Sequence, residues 1–282
     1  MKNKKFTVIG GDLRSCAAAE SLINAGYNAD TFLLEEASCL PCCIAAGTLP
    51  ESDFYILGLP ATTDGVFINA PLSSRFLSLE DFFNKIPASS YVFGGMVGSE
   101  IYSLADAKGI KIFDYYKREE LQILNSIPTA EGAIEIAMRE MPITLHGSRS
   151  LVIGYGRIGK VLAPDLEALG SIVTATSRSH EGRAWIKAAG LDAADTGDMC
   201  SALSEADVIF NTVPFKILTE KELSCLKKSA LVIDLASKPG GVDLASAKAL
   251  GVKVIWALSL PGKCAPLTAG RIISDTILNM LN

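Results

Sequence analysis

Histidine is scarce in this chain: His146 and His180 are the only two among 282 residues. That scarcity counts against alcohol oxidation by a histidine–carboxylate pair, because imidazole is the side chain best suited to take a proton near neutral pH. Long basic runs are missing as well. Lys and Arg total 26 against 31 Asp and Glu, a net charge of −5, whereas a nucleic-acid binder needs a compensating basic surface. The basic cluster Met1-Lys-Asn-Lys-Lys5 leads into a strand-like segment rather than the apolar region of a signal peptide. No apolar run approaches the ~18 residues of a membrane-spanning helix. A cytoplasmic protein with neither a nucleic-acid nor a membrane partner is expected. Cysteines are seven, an odd number without framework spacing, so free thiols in a reducing compartment are expected. Cys39-Leu-Pro-Cys42-Cys43 invites a metal or redox reading, but no histidine or second CxxC lies close in sequence to complete a site. No metal is expected.

Apolar residues are plentiful, at 49%, enough for a sizeable core in one large or two ordinary domains. The chain is organised around Leu151-Val-Ile-Gly-Tyr-Gly-Arg-Ile-Gly159. An apolar strand there ends in Gly154-x-Gly156-x-x-Gly159, and an amphipathic stretch from Lys160 to Leu169 follows at once. This order of strand, tight turn and helix start holds the pyrophosphate of a dinucleotide. Gly154 lets the chain turn, Gly156 lets backbone approach phosphate, and Gly159 lets the helix pack against the strand. Arg157 and Ile158 lie between them, at the helix start that faces the anion.

The amino-terminal half also opens as strand, turn and helix, from Lys5 through Gly10-Gly11-Asp12 to Ala25. Its turn lacks the third glycine of the fingerprint and suits a different ligand. Apolar strands at Phe54 to Leu59, Tyr91 to Gly94 and Lys111 to Tyr115 follow, separated by helical stretches. In the other half, strands are expected at Ser171 to Thr176, Asp207 to Val213, Leu231 to Leu235 and Val252 to Ala257. Strands alternating with helices imply parallel sheets covered on both faces. The fold class is therefore α/β, with two Rossmann-like domains built on doubly wound parallel sheets. A long helix starting at Ser126-Ile-Pro128 crosses between the halves, and a last helix from Ala265 to Leu281 returns to the first. The expected domains are 1–126 with 266–282, carrying substrate and catalysis, and 127–265, binding NAD(P).

Cofactor choice turns on the end of the second nucleotide-domain strand. NAD-specific domains place an Asp or Glu there for the ribose hydroxyls. Here the residues are Thr176-Ser177-Arg178-Ser179. An arginine flanked by hydroxyls suits a 2′-phosphate, so NADP is expected, with NAD as the alternative. Thr212-Val213-Pro214 should lie near the nicotinamide-side ribose, and Ala236-Ser237 near the ring. Ligands in such sheets bind beyond the carboxyl ends of strands. That rule selects three loop cations, Arg14, Lys238 and Lys263, as the residues that meet an anionic substrate. His146 lies at the wrong end of its strand for that site, and His180 falls beside the expected phosphate position.

The motifs Gly10-Gly11-Asp12-x-Arg14, Ile127-Pro-Thr-Ala-Glu-Gly-Ala133, Leu145-His-Gly-Ser148, Gly154-Tyr-Gly-Arg-Ile-Gly159, Ser237-Lys-Pro-Gly-Gly-Val-Asp243 and Leu260-Pro-Gly-Lys-x-Ala-Pro-x-Thr-Ala-Gly270 resemble the family of dipicolinate synthase A subunits. The last two are the specific ones, and the resemblance runs from residue 6 to about 275. The Cys39 to Glu51 stretch lies outside it. The resemblance implies a two-domain fold like that of formate/glycerate dehydrogenases and a role in sporulation. It implies oxidation of dihydrodipicolinate to pyridine-2,6-dicarboxylate with a nicotinamide cofactor as hydride acceptor. A flavoprotein-like B subunit of dipicolinate synthase would be the partner. Association into a homo-oligomer is a further expectation. Two other readings remain: a 2-hydroxyacid dehydrogenase of the same architecture, and a non-catalytic NADP-binding subunit.

Overall fold

A computed structural model describes residues 4–37 and 47–281. Cys39, Cys42 and Cys43 lie outside the described residues. The chain divides into two compact units, Met1–Asn125 with Ala265–Asn282, and Ser126–Cys264.

In the first unit, β1 (Lys5–Ile9) leads through Gly10-Gly11-Asp12 to α1 (Leu13–Asn24), followed by β2 (Asn28–Phe32), β3 (Phe54–Leu57), α2 (Leu79–Lys85), β4 (Tyr91–Gly94), α3 (Ser99–Ala107), β5 (Lys111–Asp114) and α4 (Glu119–Leu124). The sheet is wholly parallel, in the order β2-β1-β3-β4-β5. Alternate strand residues feed opposite layers. Ile9, Tyr55, Leu57 and Val92 enter one apolar cluster, and Phe6, Val8, Phe54, Ile56 and Phe93 the other. That alternation is the period-2 geometry of a strand buried on both sides.

The second unit begins with α5 (Ser126–Glu140), then β6 (Arg149–Ile153), α6 (Arg157–Ala168), β7 (Ile172–Ser177), α7 (His180–Ala188), β8 (Asp192–Asp195), α8 (Cys200–Glu205), β9 (Val208–Asn211), α9 (Glu220–Ser224), β10 (Leu231–Asp234), α10 (Leu244–Leu250), β11 (Lys253–Trp256) and α11 (Leu260–Cys264). The last helix, α12 (Pro266–Leu281), belongs to the first unit. It packs on α1 closely enough that a side chain at Gly270 would strike the α1 backbone. The second sheet is also wholly parallel, in the order β11-β10-β9-β6-β7-β8. Counted from β6, this is the 3-2-1-4-5-6 order of a dinucleotide-binding sheet, with its reversal between β6 and β9. The first unit has the other common doubly wound order, 2-1-3-4-5, with its reversal between β1 and β3.

Three features depart from the reading of the sequence. β8 had no residues assigned to it, because Asp192-Ala-Ala-Asp195 is an edge strand without β-branched or aromatic side chains. Residues 260–263, read as a loop, form the short helix α11, entered through Ser259 at φ +60°. The thiols were expected to be free, but Cys200 and Cys225 form a disulfide across a Cα–Cα distance of 5.6 Å, joining the start of α8 to the end of α9. Spacing alone could not reveal it, since the pair becomes close only when the two helices pack on one sheet. Cys16 is buried and Cys264 exposed. No helix among the described residues is long and apolar enough to cross a membrane.

Candidate functional site

The carboxyl end of the second sheet carries the expected cofactor residues. β6 hands over to α6 through Gly154-Tyr-Gly156, with Gly154 at φ +95°. A side chain at Gly154 would meet Thr212 Oγ1 at 2.5 Å and Val213 Cγ2 at 2.9 Å, so the turn packs directly on the loop after β9. Gly159 faces the Gly154 carbonyl with no space for a Cβ. Gly156 is different. It is the N-cap of α6, and among the described residues no side chain caps that helix and a Cβ there would meet nothing within 4 Å. The described residues leave room for a side chain at 156. Arg157 is exposed and Ile158 half-buried beside it.

Thr212 anchors the β9 loop, with its amide and its hydroxyl both donating to the Ile153 carbonyl at 3.0 and 2.9 Å. Val213 is half-buried and Pro214 exposed. At the end of β7, Ser177 is half-buried, and Arg178 and Ser179 are exposed. Ser179 caps α7, accepting from the Gly182 amide at 2.9 Å. Reading the sequence missed Arg183. One Nη1 of this residue donates to the Ser177 carbonyl (2.9 Å), the Arg178 carbonyl (3.0 Å) and Asp195 (2.8 Å), while Nη2 meets His180 Nδ1 at 2.9 Å. It therefore clamps the turn that displays Arg178. Its position in the first turn of α7 was the available signal. His146 lies against Gly170 at the amino end of the sheet, away from this rim, as its place in the sequence implied.

A second missed feature is polar and buried. Asn211 and Asp234, at the ends of β9 and β10, are 0% and 2% exposed. They join through Asn211 Nδ2 donating to Asp234 Oδ1 at 2.8 Å. Ala236 is buried behind them, whereas Ser237 and Lys238 are exposed, and the Lys238–Pro239 peptide is cis. Lys263 is exposed on α11. Neither lysine has a side-chain partner among the described residues.

Arg14 lies in the other unit and is only 8% exposed. Its Nε and Nη2 donate to the Asp12 carboxylate at 2.9 and 2.8 Å, and Nη2 also reaches the Leu59 carbonyl at 2.5 Å. Much of its hydrogen-bonding capacity is thus used within its own unit, where it ties the start of α1 to the end of β3. Asp114, at the end of β5, is also buried and accepts from the amides of Met96 (3.2 Å), Val97 (3.1 Å) and Tyr116 (2.9 Å). The neighbouring Tyr115 hydroxyl donates to the Leu57 carbonyl at 3.0 Å. Complete burial pushes that phenol's pKa well up, which makes it a fixed donor rather than a proton acceptor.

Residues 5–116 match the family described as the N-terminal domain of the dipicolinate synthase A subunit. Residues 125–243 match the NAD binding domain of D-isomer specific 2-hydroxyacid dehydrogenases. Over 285 aligned residues the chain is 32% identical to the dipicolinate synthase A subunit of Bacillus subtilis (strain 168), covering 98% of this chain and 95% of that protein. This chain belongs to the family of dipicolinate synthase A subunits. The solved structure of the family member from Bacillus halodurans superposes with a TM-score of 0.90 at 28% identity, covering 99% of this chain and 98% of that one. The solved structure of the Bacillus subtilis member gives 0.88 at 30% identity, covering 100% and 96%. A transhydrogenase from Sinorhizobium meliloti shares the fold, with a TM-score of 0.72 at 16% identity. The family's NAD-binding dehydrogenase domain thus corresponds to the sheet whose rim carries Gly154 to Gly159. It marks the chain as an oxidoreductase with a nicotinamide cofactor.

Proposed function

We propose that this chain is the dehydrogenase subunit of a dipicolinate synthase, oxidising dihydrodipicolinate to pyridine-2,6-dicarboxylate with NADP in a sporulating cell's cytoplasm. The observation that carries the nucleotide part of this reading is the uncapped α6 N-terminus behind Gly156. A helix start whose amides have no side-chain cap and whose nearest Cβ position is empty is suited to a pyrophosphate. Residues 127–265 are the NAD(P)-binding domain in this reading, and 1–126 with 266–282 carry substrate-binding and catalytic groups. Arg178, between the hydroxyls of Ser177 and Ser179, is the 2′-phosphate ligand.

When bound, the cofactor supplies a two-electron hydride acceptor. The chain's own residues bind and orient. Ser237 and Lys238 lie beyond β10 on the nicotinamide side, and Lys238 and Lys263 hold the two substrate carboxylates, as compact charges. Arg14 is the first domain's anion-binding cation in this reading, its charge offset by Asp12. Aromatisation favours the reaction, so a strong base is not required to drive it, although one ring proton must still leave. The name of the relatives implies a further subunit, and we assign that partner the flavoprotein-like role of the synthase's B subunit.

The test is turnover of dihydrodipicolinate with NADP, in the presence and absence of the B subunit, for the wild-type chain and for Lys238→Ala and Lys263→Ala. Each substitution should raise KM at least tenfold and leave NADPH affinity within about twofold. Oxidation of a 2-hydroxy acid in place of dihydrodipicolinate would overturn the substrate assignment. Binding of NADPH without turnover, even when the B subunit is supplied, would favour a non-catalytic role.

A further inference from the structure

The loop that carries Ser237 and Lys238 leaves β10 at Asp234 and returns to the buried layer at Gly241. Both ends are tied to one carboxylate. Asp234 Oδ1 accepts from the Ala236 amide at 3.1 Å, and Oδ2 accepts from the Gly241 amide at 2.9 Å. Oδ1 also accepts from Asn211 Nδ2 at 2.8 Å. Asn211 is itself fixed from the β9 side. It donates to the Val213 carbonyl and accepts from the Val213 amide, each at 3.1 Å. On the other side of the loop, Trp256 Nε1 donates to the Ala236 carbonyl at 2.8 Å. The Gly240 amide closes the turn onto the Ser237 carbonyl at 2.9 Å. Gly241 packs so closely on Asn211 and the Val213 carbonyl, the latter 2.6 Å from an ideal Cβ, that no side chain fits there.

A carboxylate this buried is costly unless its oxygens are satisfied. Here three donors satisfy it, and two of them are the backbone of a single six-residue turn. Apolar residues would pack this space without fixing the direction of those amides. The carboxylate sets their direction, and with it the exit vectors of the three exposed residues between them, Ser237, Lys238 and Pro239.

We propose that Asp234 is a positioning residue: its buried carboxylate moors both ends of the 236–241 loop and so sets where Ser237 and Lys238 are presented. The functional half of this inference rests on the reading of Lys238 as a ligand of the dicarboxylate. The mooring itself does not.

The test is Asp234→Asn in a Trp185→Phe background of the full chain. Trp185 is 60% exposed on α7, and its removal leaves Trp256 as the sole tryptophan of the sequence. An amide at 234 sets a donor against a donor at one end of the loop or the other. Acrylamide quenching of Trp256 at 25 °C should rise at least twofold. Affinity for dipicolinate with NADP bound should fall at least tenfold, with NADPH affinity changed less than twofold. Lys238→Ala runs in parallel. If that variant loses dipicolinate affinity while Asp234→Asn keeps it, the inference is overturned and the Lys238 reading stands. If Lys238→Ala keeps its affinity, the substrate reading fails, and quenching alone then decides the mooring: a rise upholds it, no change overturns it. Should Asp234→Asn not fold, Asn211→Ser removes one of the three donors. It should raise quenching in the same direction by about half as much, and unchanged quenching overturns the inference.

Discussion

The two sheets of this protein begin alike and end their first turn differently. Each runs from a buried strand through a glycine turn into a helix, β1 to α1 and β6 to α6. In the first unit the helix caps itself. Asp12 is the N-cap, its carboxylate accepting from the Arg14 amide at 3.0 Å. The turn is also filled: an ideal Cβ at Gly11 would meet Gly58 Cα at 3.0 Å, and the Gly11 amide donates to Asn69 at 2.6 Å. In the second unit the N-cap is Gly156, and among the described residues no side chain caps the helix and nothing lies within 4 Å of an ideal Cβ at Gly156. A helix N-terminus attracts one negative group. The first unit supplies that group from its own chain; in the proposed function the second receives it from the cofactor. Glycines in a turn therefore do not by themselves make a nucleotide site.

The largest effect should come from exchanging the two turns' tolerance. Gly156→Val should reduce NADPH affinity at least a hundredfold with little change in Tm, because its side chain enters ligand space and not protein. Gly11→Val should do the reverse, lowering Tm by many degrees, since φ is +81° and backbone lies in the way. Calorimetry and nucleotide titration on both variants separate these outcomes. Equal loss of stability would erase the distinction between the two turns.

Next in size is cofactor choice. Arg178→Ala should weaken NADP by about ten- to a hundredfold, the worth of a charge-assisted hydrogen bond of roughly 1.5–3 kcal/mol. NAD should be affected much less. Parallel losses for both would remove Arg178 from the 2′-phosphate site.

Asp12→Ala should cost about 1–2 kcal/mol of stability, through the lost cap and the unpaired guanidinium of Arg14. Denaturant titration measures it. NADPH affinity should not change, because the second unit's turn does not depend on this cap.

The smallest effect concerns acid stability in the first unit. The guanidinium of Arg75 and the hydroxyl of Ser73 hydrogen-bond to Glu35 and lower its pKa from 4.5 to about 2. A group with a depressed folded-state pKa contributes fully above its unfolded value and loses that contribution as pH falls toward the folded one. Wild type should therefore lose its advantage over Glu35→Gln between about pH 4.5 and 2. The pair is well exposed, so the advantage should stay below about 1 kcal/mol. A pH-independent difference between the two would show that the ion pair contributes nothing.

Much of this was legible along the chain. The Gly154 to Gly159 fingerprint, the strands that read as apolar runs and the existence of the last helix are local patterns of period and spacing, whereas that helix's return to the first unit was expected from the crossing helix and the resemblance. Local pattern was silent on Asp192 to Asp195, whose strand exists only because β7 offers it an edge. It was equally silent on Cys200 with Cys225, on Arg183 beneath the Ser177 turn, and on Asn211 with Asp234.

By itself the sequence determined the architecture class and the place of the glycine turn after β6, because backbone turns and buried runs leave residue-type signatures within a few positions; the family followed from the resemblance of its motifs. It also placed Arg14, Lys238 and Lys263 beyond strand ends. Only the tertiary structure decided what surrounds them. It folded Arg14 back onto Asp12 and Leu59, left Lys238 and Lys263 exposed, and closed one glycine turn while leaving the other open. Those outcomes depend on groups tens of residues apart, such as Asn69 over Gly11 or Leu59 beside Arg14. Their hydrogen bonds form only when separate strands are laid side by side.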